Sequence, residues 1–375
     1  MQCKSILFLT GTRADFGKLK SLIQKTESMK GMEAHLFVTG MHMLAKYGMT
    51  AIEVEKSGFK SIYKYINQNN EDSMDIVLSK TIHGLSDYVK ELKPDMIVVH
   101  GDRVEALAGA IVGALNNILV AHIEGGEVSG TIDELIRHSV SKMAHLHFVS
   151  NQSAKSRLLQ LGEKSDSIFI IGSPDLDIMK SDTLPDLEEV KQYYEVPFDD
   201  YAIVMFHPVT TEVDQLKEHV SSLRQALEST NKNLIIIYPN NDHGSSIIID
   251  ELLPLAEQPN VRMFPSIRFE SFLTLLKYSR CIIGNSSAGV REAPFYGLPS
   301  INIGSRQNGR SAAKSIFNVS TEADEISKAI ELAYQSDFEP ETEFGIGDSD
   351  VMFVSALTSE GFWETSKQKL FVDIS

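Results

Sequence analysis

Residues 96–126 read MIVVHGDRVEALAGAIVGALNNILVAHIEGG, and this stretch decides the fold class. It contains a short apolar run, Met96–His100, then a polar turn, a longer segment with a helical pattern, Val104–Leu115, and a second apolar run, Ile118–Ile123. Strands that are buried on both faces of a parallel sheet have continuous apolar sequences of this kind. A strand, a helix and a strand in this order predict a βαβ unit with a right-handed crossover.

The same alternation continues on both sides of this unit, where a second helical pattern covers Met74–Leu92. It restarts after the charged, proline-containing segment Lys180–Asp200, which we interpret as a linker. The sequence therefore predicts two doubly wound α/β domains, residues 1–180 and 181–350, and then a partly helical tail, residues 351–375. The other predicted strands are Ile6–Leu9, Ala34–Thr39, Leu146–Ser150, Ile168–Ile171, Ala202–Phe206, Leu234–Tyr238, Val261–Phe264, Cys281–Gly284 and Ser300–Ile303.

The composition excludes several classes of protein. The chain has 375 residues, which is enough for two hydrophobic cores, and its net charge of −16 argues against a nucleic-acid-binding surface. Its two cysteines do not suffice for a disulfide framework. We expect a cytoplasmic protein that does not insert into membranes, because the sequence has no signal-peptide pattern and no run of about 20 apolar residues.

Carboxylate side chains follow the predicted strands of the first half. Asp102 follows Met96–His100, and Glu124 follows Ile118–Ile123 and precedes two glycines. Asp133 comes a few residues later, in a third polar segment. Because the carboxyl ends of parallel strands meet at one edge of a sheet, we expect these three carboxylates to share that edge. Clustered like charges raise one another's proton affinity, so one group can act as an acid while another acts as a base.

Simpler structural roles remain open for several of these residues. Asp102 is also a suitable helix N-cap. Thr131 and Glu134 form a capping-box pattern, which explains those two residues and leaves Asp133 without a structural role. Glu124 is harder to explain structurally, because glutamate is a poor turn former.

Glycine-containing turns in both halves predict sites for an anion. GTRADFG (11–17) follows the first strand, and Arg13 adds charge there, although a plain strand-to-helix turn explains this segment equally well. In the second half, His207 ends a strand, and GNSSAG (284–289) is predicted to open a helix whose N–H groups and dipole suit a diphosphate. Glu292, about one turn into that helix, is either an exposed surface residue or an acceptor for a ribose diol.

Common metal and nucleophile motifs are absent from the sequence. There is no HExxH or CxxC spacing, and the eleven histidines are scattered, so no metal site is predicted. There is also no GxSxG nucleophile elbow. Acid–base chemistry by the clustered carboxylates therefore remains the main catalytic hypothesis.

Taken together, the motifs resemble those of the hydrolysing UDP-N-acetylglucosamine 2-epimerases of bacterial sialic acid and capsule biosynthesis. The resemblance extends from the first strand to Arg310, and the last part of the chain is less distinctive. The segments that carry it are GTRADFGKL (11–19), VTGMH (38–42), HGDRVEALAGA (100–110), HIEGGEVSGTIDELIRHSVSKMAHLH (122–147), GSPDLD (172–177), FHPVTTE (206–212), YPNNDHG (238–244), GNSSAGVREAP (284–294) and INIGSRQNGR (301–310).

The resemblance implies a glycosyltransferase-B (GT-B) fold, with two Rossmann-like domains, the active-site cleft between them and the C-terminal segment packed back on the first. It implies elimination of UDP from UDP-N-acetylglucosamine to give 2-acetamidoglucal, then addition of water to release N-acetylmannosamine, without a metal or redox cofactor. The implied catalytic residues are Asp102, Glu124 and Asp133. The implied UDP-binding residues are Arg13, His207, Asn240, Ser286, Ser287 and Glu292.

The hydrolysing branch is favoured over its non-hydrolysing relatives. In place of HIEGGE (122–127), the non-hydrolysing relatives have a segment that resembles a single glycine followed by an arginine-containing turn. This chain instead has Gly125-Gly126-Glu127 and later Ile136-Arg137-His138. Three other interpretations remain open: a hydrolysing epimerase for a 2,4-diacetamido-trideoxy or GDP-linked sugar, a GT-B glycosyltransferase, and a sugar-nucleotide sensor without activity. UDP-N-acetylglucosamine is the expected small-molecule partner, and a homodimer or homotetramer is expected.

Overall fold

The chain forms two compact α/β units in a computed structural model that describes residues 3–45, 48–69, 72–129, 132–182, 184–209, 212–239 and 244–373. Unit 1 comprises Met1–Lys180 and Phe344–Ser375, and unit 2 comprises Ser181–Glu343. Among the described residues, no helix combines the length and the apolar character that crossing a bilayer requires.

Unit 1 is built on a seven-stranded sheet. Its strands are β1 (Lys4–Thr10), β2 (Met32–Val38), β3 (Ile62–Lys64), β4 (Met96–His100), β5 (Leu119–Ile123), β6 (Leu146–Val149) and β7 (Ile168–Ile170). All neighbouring strands are parallel, in the order β3-β2-β1-β4-β5-β6-β7. The helices between them are α1 (Arg13–Ser28), α2 (Ala51–Lys56), α3 (Met74–Leu92), α4 (Val104–Leu115), α5 (Ile132–Met143), α6 (Gln152–Gln160) and α7 (Asp175–Lys180).

Both faces of this sheet are buried, which explains why its central strands are apolar throughout. Successive side chains of a strand point to opposite faces. Ile6 and Phe8 therefore pack into one core cluster, which includes α1, and Leu7 and Leu9 pack into another, which includes α3 and α4. The prediction of a doubly wound parallel sheet is confirmed for unit 1.

Unit 2 repeats this topology with six strands. They are β8 (Ala202–Met205), β9 (Leu234–Ile237), β10 (Val261–Phe264), β11 (Ile282–Gly284), β12 (Ser300–Ile303) and β13 (Ile316–Val319). They are parallel, in the order β10-β9-β8-β11-β12-β13, which is the order of a dinucleotide-binding Rossmann sheet. The helices are α8 (Leu187–Tyr193), α9 (Leu216–Thr230), α10 (Ser245–Leu252), α11 (Phe269–Lys277), α12 (Glu292–Phe295) and α13 (Ala323–Ala333).

The sequence did not predict the strands β3 and β13. Both lie at the edge of their sheet. Their side chains are only partly buried or exposed, and such a strand does not need a continuous apolar sequence. Tyr63 in β3 is accordingly 40% exposed.

The interpretation of Lys180–Asp200 as a linker is wrong for most of its length. The segment belongs to unit 2 from Ser181 onward and contains α8. Asp186 caps this helix by accepting hydrogen bonds from two backbone N–H groups, and Val190 on the helix is buried. A two-turn helix with so short a buried face has no long apolar run, so its pattern resembled a loop.

The chain returns to unit 1 at Phe344, seven residues before the predicted start of the tail at 351. The backbone N–H of Ser173 donates a hydrogen bond to the carbonyl of Phe344 (2.6 Å). A further helix, α14 (Ser349–Leu357), then packs on α1. Its Phe353 ring lies 4.8 Å from that of Phe148, and the carboxylate of Asp177 accepts the N–H groups of Ser349 and Asp350.

A buried carboxylate fastens the C-terminal segment to unit 1. Glu163, whose side chain is 2% exposed, accepts hydrogen bonds from Lys142 (2.8 Å) and from Lys369, and lies 2.9 Å from Nε2 of His147. The ammonium of Lys369 also donates to the carbonyl oxygens of Ser141 and Ala144, at the end of α5. Burial raises the pKa of Glu163, but these hydrogen bonds lower it by more, to about 2.

Glu163→Gln is therefore expected to lower the free energy of unfolding by about 3–5 kcal/mol at pH 7, the usual cost of breaking a buried ion pair. The ordinary pKa of this carboxyl is 4.5, and in the folded protein it is about 2. Its stabilisation is thus complete above pH 4.5 and is lost as the pH falls towards 2. Urea unfolding at several pH values should show a gap between wild type and variant that closes over this window. Glu360→Gln, an exposed carboxylate in the same unit, is the control; a constant gap would contradict the assignment.

Candidate active site

Each sheet has a point where the strand order reverses, and doubly wound folds bind ligands beyond the carboxyl ends of the strands there. In unit 1 this point lies between β1 and β4, and in unit 2 it lies between β8 and β11. The residues that follow these strands include Gly11, Asp102, His207 and Ser286. Each unit therefore has a candidate binding edge of its own.

Glu124 lies at this edge of unit 1, directly after β5. It is 5% exposed, and its φ of 60° places it in the left-handed region. This conformation costs a non-glycine residue about 1–3 kcal/mol, and residues strained in this way cluster at functional sites. Its N–H donates to the carbonyl of Phe148 (2.9 Å), which keeps the residue attached to the sheet. The strain explains why a glutamate here had no simple structural interpretation.

The carboxylate of Glu124 is bound by Lys18, which is not among the predicted site residues. Nζ of Lys18, on α1, lies 3.0 and 3.2 Å from its two oxygens. The same ammonium lies 3.3 Å from Oδ2 of Asp175, which is completely buried at the start of α7. Ser173 also donates to Glu124, and Nε2 of His100 lies 3.1 Å from Oε2. One cation is thus shared by two buried carboxylates.

Asp102 is held by an arginine. Arg137, on α5, is 4% exposed and donates from Nη2 to Oδ2 of Asp102. Its Nη1 donates to the carbonyl of Glu127 (3.1 Å) and to Oγ of Ser129 (3.2 Å). The structure does not support Asp102 as an N-cap, because Arg103 occupies that position of α4 and makes no capping bond with its side chain.

Asp133 lies in the first turn of α5, four residues before Arg137 and so on the same side of the helix. The capping-box partner Thr131 lies outside the described residues. Glu134 does accept the N–H of Ser129 (3.0 Å), which is a local structural role. Since Arg137 contacts Asp102, and since His100 near Asp102 contacts Glu124, the segments that carry all three predicted carboxylates meet at this edge.

Arg13 is engaged differently from the prediction. It begins α1, where Thr12 and Asp15 form a capping box. Its Nε and Nη2 donate to the two carboxylate oxygens of Glu53 on α2, at 3.0 and 2.7 Å. This bidentate pair is partly exposed. This pair uses only two of the five N–H donors of the guanidinium, and a role for Arg13 in holding an anion stays a prediction.

In unit 2, an asparagine joins the two strands at the binding edge. The N–H of His207 donates to Oδ1 of Asn285 (2.7 Å), and Nδ2 of Asn285 donates back to the carbonyl of His207 (2.8 Å). Burial lowers the pKa of His207 to about 3, with a further contribution from the charge of Arg306. His207 is thus a neutral hydrogen-bonding group at pH 7, and any positive charge at this edge comes from other residues.

The predicted helix after GNSSAG (284–289) is wrong. Ser286 accepts the N–H of Ala288 (3.3 Å) as the cap of a single 3-10 turn, Ser287–Gly289. The next helix, α12, has only four residues. A helix dipole that would stabilise a diphosphate is therefore small here. Arg306 supplies a full charge instead, with its Nη1 donating to the carbonyl of Asn285 (3.0 Å), immediately before Ser286.

The remaining three predicted binding residues have different outcomes. Glu292 begins α12 and is 5% exposed, so the simple alternative of an exposed surface glutamate is wrong. Ser287 is half-buried beside Ser286. Asn240 lies outside the described residues. Within the described ranges, no group of three or more histidine, cysteine, aspartate or glutamate side chains is arranged to hold a metal ion.

One sequence feature could have revealed Lys18. It lies three residues after Asp15 and four before Leu22, and both of these residues are buried. Lys18 therefore belongs to the buried face of α1, where a cation requires a partner. Arg137 has the same signal, since it lies three residues before the buried Val140 on α5, but neither pattern identifies the carboxylate partner.

Comparison with known proteins gives one family. A family model described as UDP-N-acetylglucosamine 2-epimerase matches residues 24–358. The chain is 50% identical to a UDP-N-acetylglucosamine 2-epimerase of Neisseria meningitidis serogroup B over 99% of this chain and 100% of that protein. It is 34% identical to the hydrolyzing UDP-N,N'-diacetylbacillosamine 2-epimerase of Legionella pneumophila, over 86% of this chain and 87% of the relative.

The fold of this chain also matches that of solved structures. The crystal structure of a UDP-GlcNAc 2-epimerase from Neisseria meningitidis bound to UDP-GlcNAc matches with a TM-score of 0.82 and covers 94% of this chain and 99% of that one. At 20% identity, this match describes the fold alone. It agrees with the predicted GT-B class of two parallel-sheet domains.

Proposed function

The chain belongs to the UDP-N-acetylglucosamine 2-epimerase family, and we propose that it hydrolyses UDP-N-acetylglucosamine to UDP and N-acetylmannosamine, the first step of sialic acid biosynthesis. The observation that carries the proposal is the pair of cation-bound carboxylates, Glu124 with Lys18 and Asp102 with Arg137, at the switch point of unit 1. A carboxylate at the substrate-binding edge is the kind of side chain that can accept a proton from carbon as a general base.

The first half-reaction is an elimination. A carboxylate takes the proton from carbon 2, the C1–O bond breaks, and its electron pair leaves on UDP. Because the carbon-2 proton is weakly acidic, departure of the diphosphate has to lead, and general-base catalysis assists it as charge develops. Ser286, the neutral His207 and Arg306 in unit 2 are suited to stabilise that leaving anion by hydrogen bonds and charge.

The second half-reaction adds water to the 2-acetamidoglucal. The water oxygen bonds to carbon 1, a proton bonds to carbon 2 from the face opposite to the one that lost it, and the product is free N-acetylmannosamine. Elimination and addition together leave the oxidation level of the sugar unchanged. The reaction needs a proton donor and acceptor, which is a role for Asp102, Glu124 and Asp133.

The name of one relative and the sequence pattern of one turn support hydrolysis over retention of UDP. The 34% identical Legionella relative is a hydrolyzing enzyme by its name. The Gly125-Gly126-Glu127 turn also has a clear structural task in this chain: Oε1 of Glu127 accepts from Ser150 (2.8 Å), and its carbonyl accepts from Arg137. The turn that distinguishes the hydrolysing pattern thus helps to hold the arginine that binds Asp102.

Incubation with UDP-N-acetylglucosamine in deuterated water is expected to release UDP and N-acetylmannosamine in equal amounts, with deuterium at carbon 2. Proton spectra of the products check this directly. A product in which the sugar stays attached to UDP would assign the chain to the non-hydrolysing branch. No turnover of this substrate, but turnover of UDP-N,N'-diacetylbacillosamine, would instead correct the substrate.

A further inference from the structure

One buried carboxylate at the unit 1 edge has no part in the mechanism above. Glu105 lies in the first turn of α4 and is 2% exposed. Its Oε2 accepts a hydrogen bond from Nε of Arg103 (3.3 Å). Its Oε1 is buried and has no hydrogen-bond partner among the described residues. A buried acceptor without a donor costs free energy, so stability alone does not account for a glutamate here.

The carboxyl group occupies a space that two glycines leave open. A β-carbon on Gly11 would lie 3.0 Å from Cδ of Glu105. A β-carbon on Gly40 would lie 2.6 Å from Oε1, and Gly40 also has a φ of 64°. The turns after β1 and β2 therefore both close over Glu105. The position of its carboxyl group is determined by backbone on two sides, which makes it a rigid anchor.

The guanidinium of Arg103, which Glu105 holds, lies next to the edge that carries the predicted catalytic residues. Arg103 directly follows Asp102, and its side chain is 42% exposed. Partial burial lowers the pKa of Arg103, but the carboxylates of Glu105, Asp15 and Asp133 raise it by more. Arg103 thus carries its charge between the buried Glu105 and the first turn of α5, where Asp133 lies.

We propose that Glu105 is a positioning residue for the proposed reaction: it fixes the Arg103 guanidinium through Nε, so that the remaining N–H groups face the edge where Asp102 and Asp133 lie. The inference rests on the proposed function, because it gives Glu105 a task in that active site. Glu105 itself does not touch the substrate and acts only through Arg103. Fixed orientation of a charged donor is a large part of enzymatic rate enhancement.

The test uses Glu105→Met, which keeps an unbranched side chain of similar length and removes both oxygens. The turnover number is expected to fall about 10–100-fold, the effect of a misplaced active-site group. The thermal midpoint should stay the same or rise, because an unpartnered buried oxygen is removed. Glu55→Gln, an exposed carboxylate paired with Lys64, is the control and should behave as wild type.

A second set of variants shows whether the effect passes through Arg103. Arg103→Met should slow turnover at least as much as Glu105→Met, and the double variant should be no slower than Arg103→Met alone. Arg103→Lys keeps the charge but loses the Nε–H anchor, so it should not restore the rate. Additive losses, a lysine that restores turnover, or a Glu105→Met protein that is unstable and has normal turnover would each overturn the proposal.

A measurement without substrate separates this inference from the proposed function. Phenylglyoxal labels accessible arginines, and mass spectrometry reports the rate at Arg103. That rate is expected to rise several-fold in Glu105→Met or, if that variant does not fold, in Glu105→Ala, because neither side chain has an oxygen that can accept the N–H of Arg103. An unchanged rate overturns the anchoring role, whatever the substrate. Absence of UDP release by the wild type, together with faster labelling in the variant, would refute the proposed function and retain the anchor.

Discussion

Glu124→Gln is expected to lower the turnover number for UDP-N-acetylglucosamine by about 10²–10⁴-fold, the usual contribution of general acid–base catalysis. The amide keeps the size of the side chain and removes a proton acceptor. The protein should remain folded, because Lys18 still has Asp175 at 3.3 Å as a partner. UDP affinity should change little, since almost all the residues predicted to bind the nucleotide are in unit 2. Steady-state kinetics, UDP titration calorimetry and thermal unfolding measure the three quantities.

Glu163→Gln is a matched control for this experiment. Like Glu124, Glu163 is a buried carboxylate of unit 1 that is paired with a lysine. Its partner Lys369, however, belongs to the C-terminal segment, so this pair holds that segment in place. Replacement of Glu163 should reduce stability and leave the turnover of the folded protein unchanged, which is the opposite pattern. If Glu124→Gln turned over at the wild-type rate, Glu124 would have no part in proton transfer, and its left-handed backbone would need another explanation.

The part of the site that the sequence could predict is the part determined by local pattern. Buried parallel strands are apolar throughout, so β4 and β5 and the turns after them were recognisable. This pattern predicted the position of Glu124 at the end of a strand. It also showed that the residue is unusual, because glutamate before two glycines fits no common turn. The structure gives the physical reason in a φ of 60°.

The contacts that hold the site could not be predicted, because they join segments distant in the sequence. Lys18 and Glu124 are 106 residues apart, and Arg137 and Asp102 are 35 apart. A single sequence shows which residues are polar, but pairing depends on the order of strands in the sheet. The pairing of Lys18 with Glu124 therefore depends on the strand order, which places β1 and β5 on either side of β4.

The errors in unit 2 have a similar cause. The sequence GNSSAG (284–289) predicts a helix start by its composition, but the chain makes one 3-10 turn and then the short α12. Pro294 would interrupt a continuous helix that began at Ser287, because it has no N–H to donate, and Gly297, with a φ of 70°, follows the end of α12. The charge that a helix dipole was expected to supply comes from Arg306, which lies 20 residues after Ser286 in the sequence.

Asp102→Asn should distinguish a chemical role of Asp102 from a structural one. As a proton-transfer group, Asp102 should lose about 10²–10⁴-fold in turnover on this substitution. The asparagine oxygen still accepts from Arg137, but a charge-assisted hydrogen bond is lost, so stability should fall by about 1.5–3 kcal/mol. An N-cap role would predict almost no change in either quantity, because asparagine is an equally good cap. The absence of a capping bond at this turn already favours the first outcome.

Arg137→Met is the companion variant, and the comparison decides how the pair works. It removes the cation and leaves the Asp102 side chain, which is 28% exposed and remains hydrated. If Arg137 only orients Asp102, its loss should slow turnover less than the loss of Asp102, and the double variant should match Asp102→Asn. If the two variants instead gave independent, additive losses, Arg137 would act on the substrate directly. A stable, fully active Asp102→Asn protein would leave Glu124 and Asp133 to carry the proton transfers.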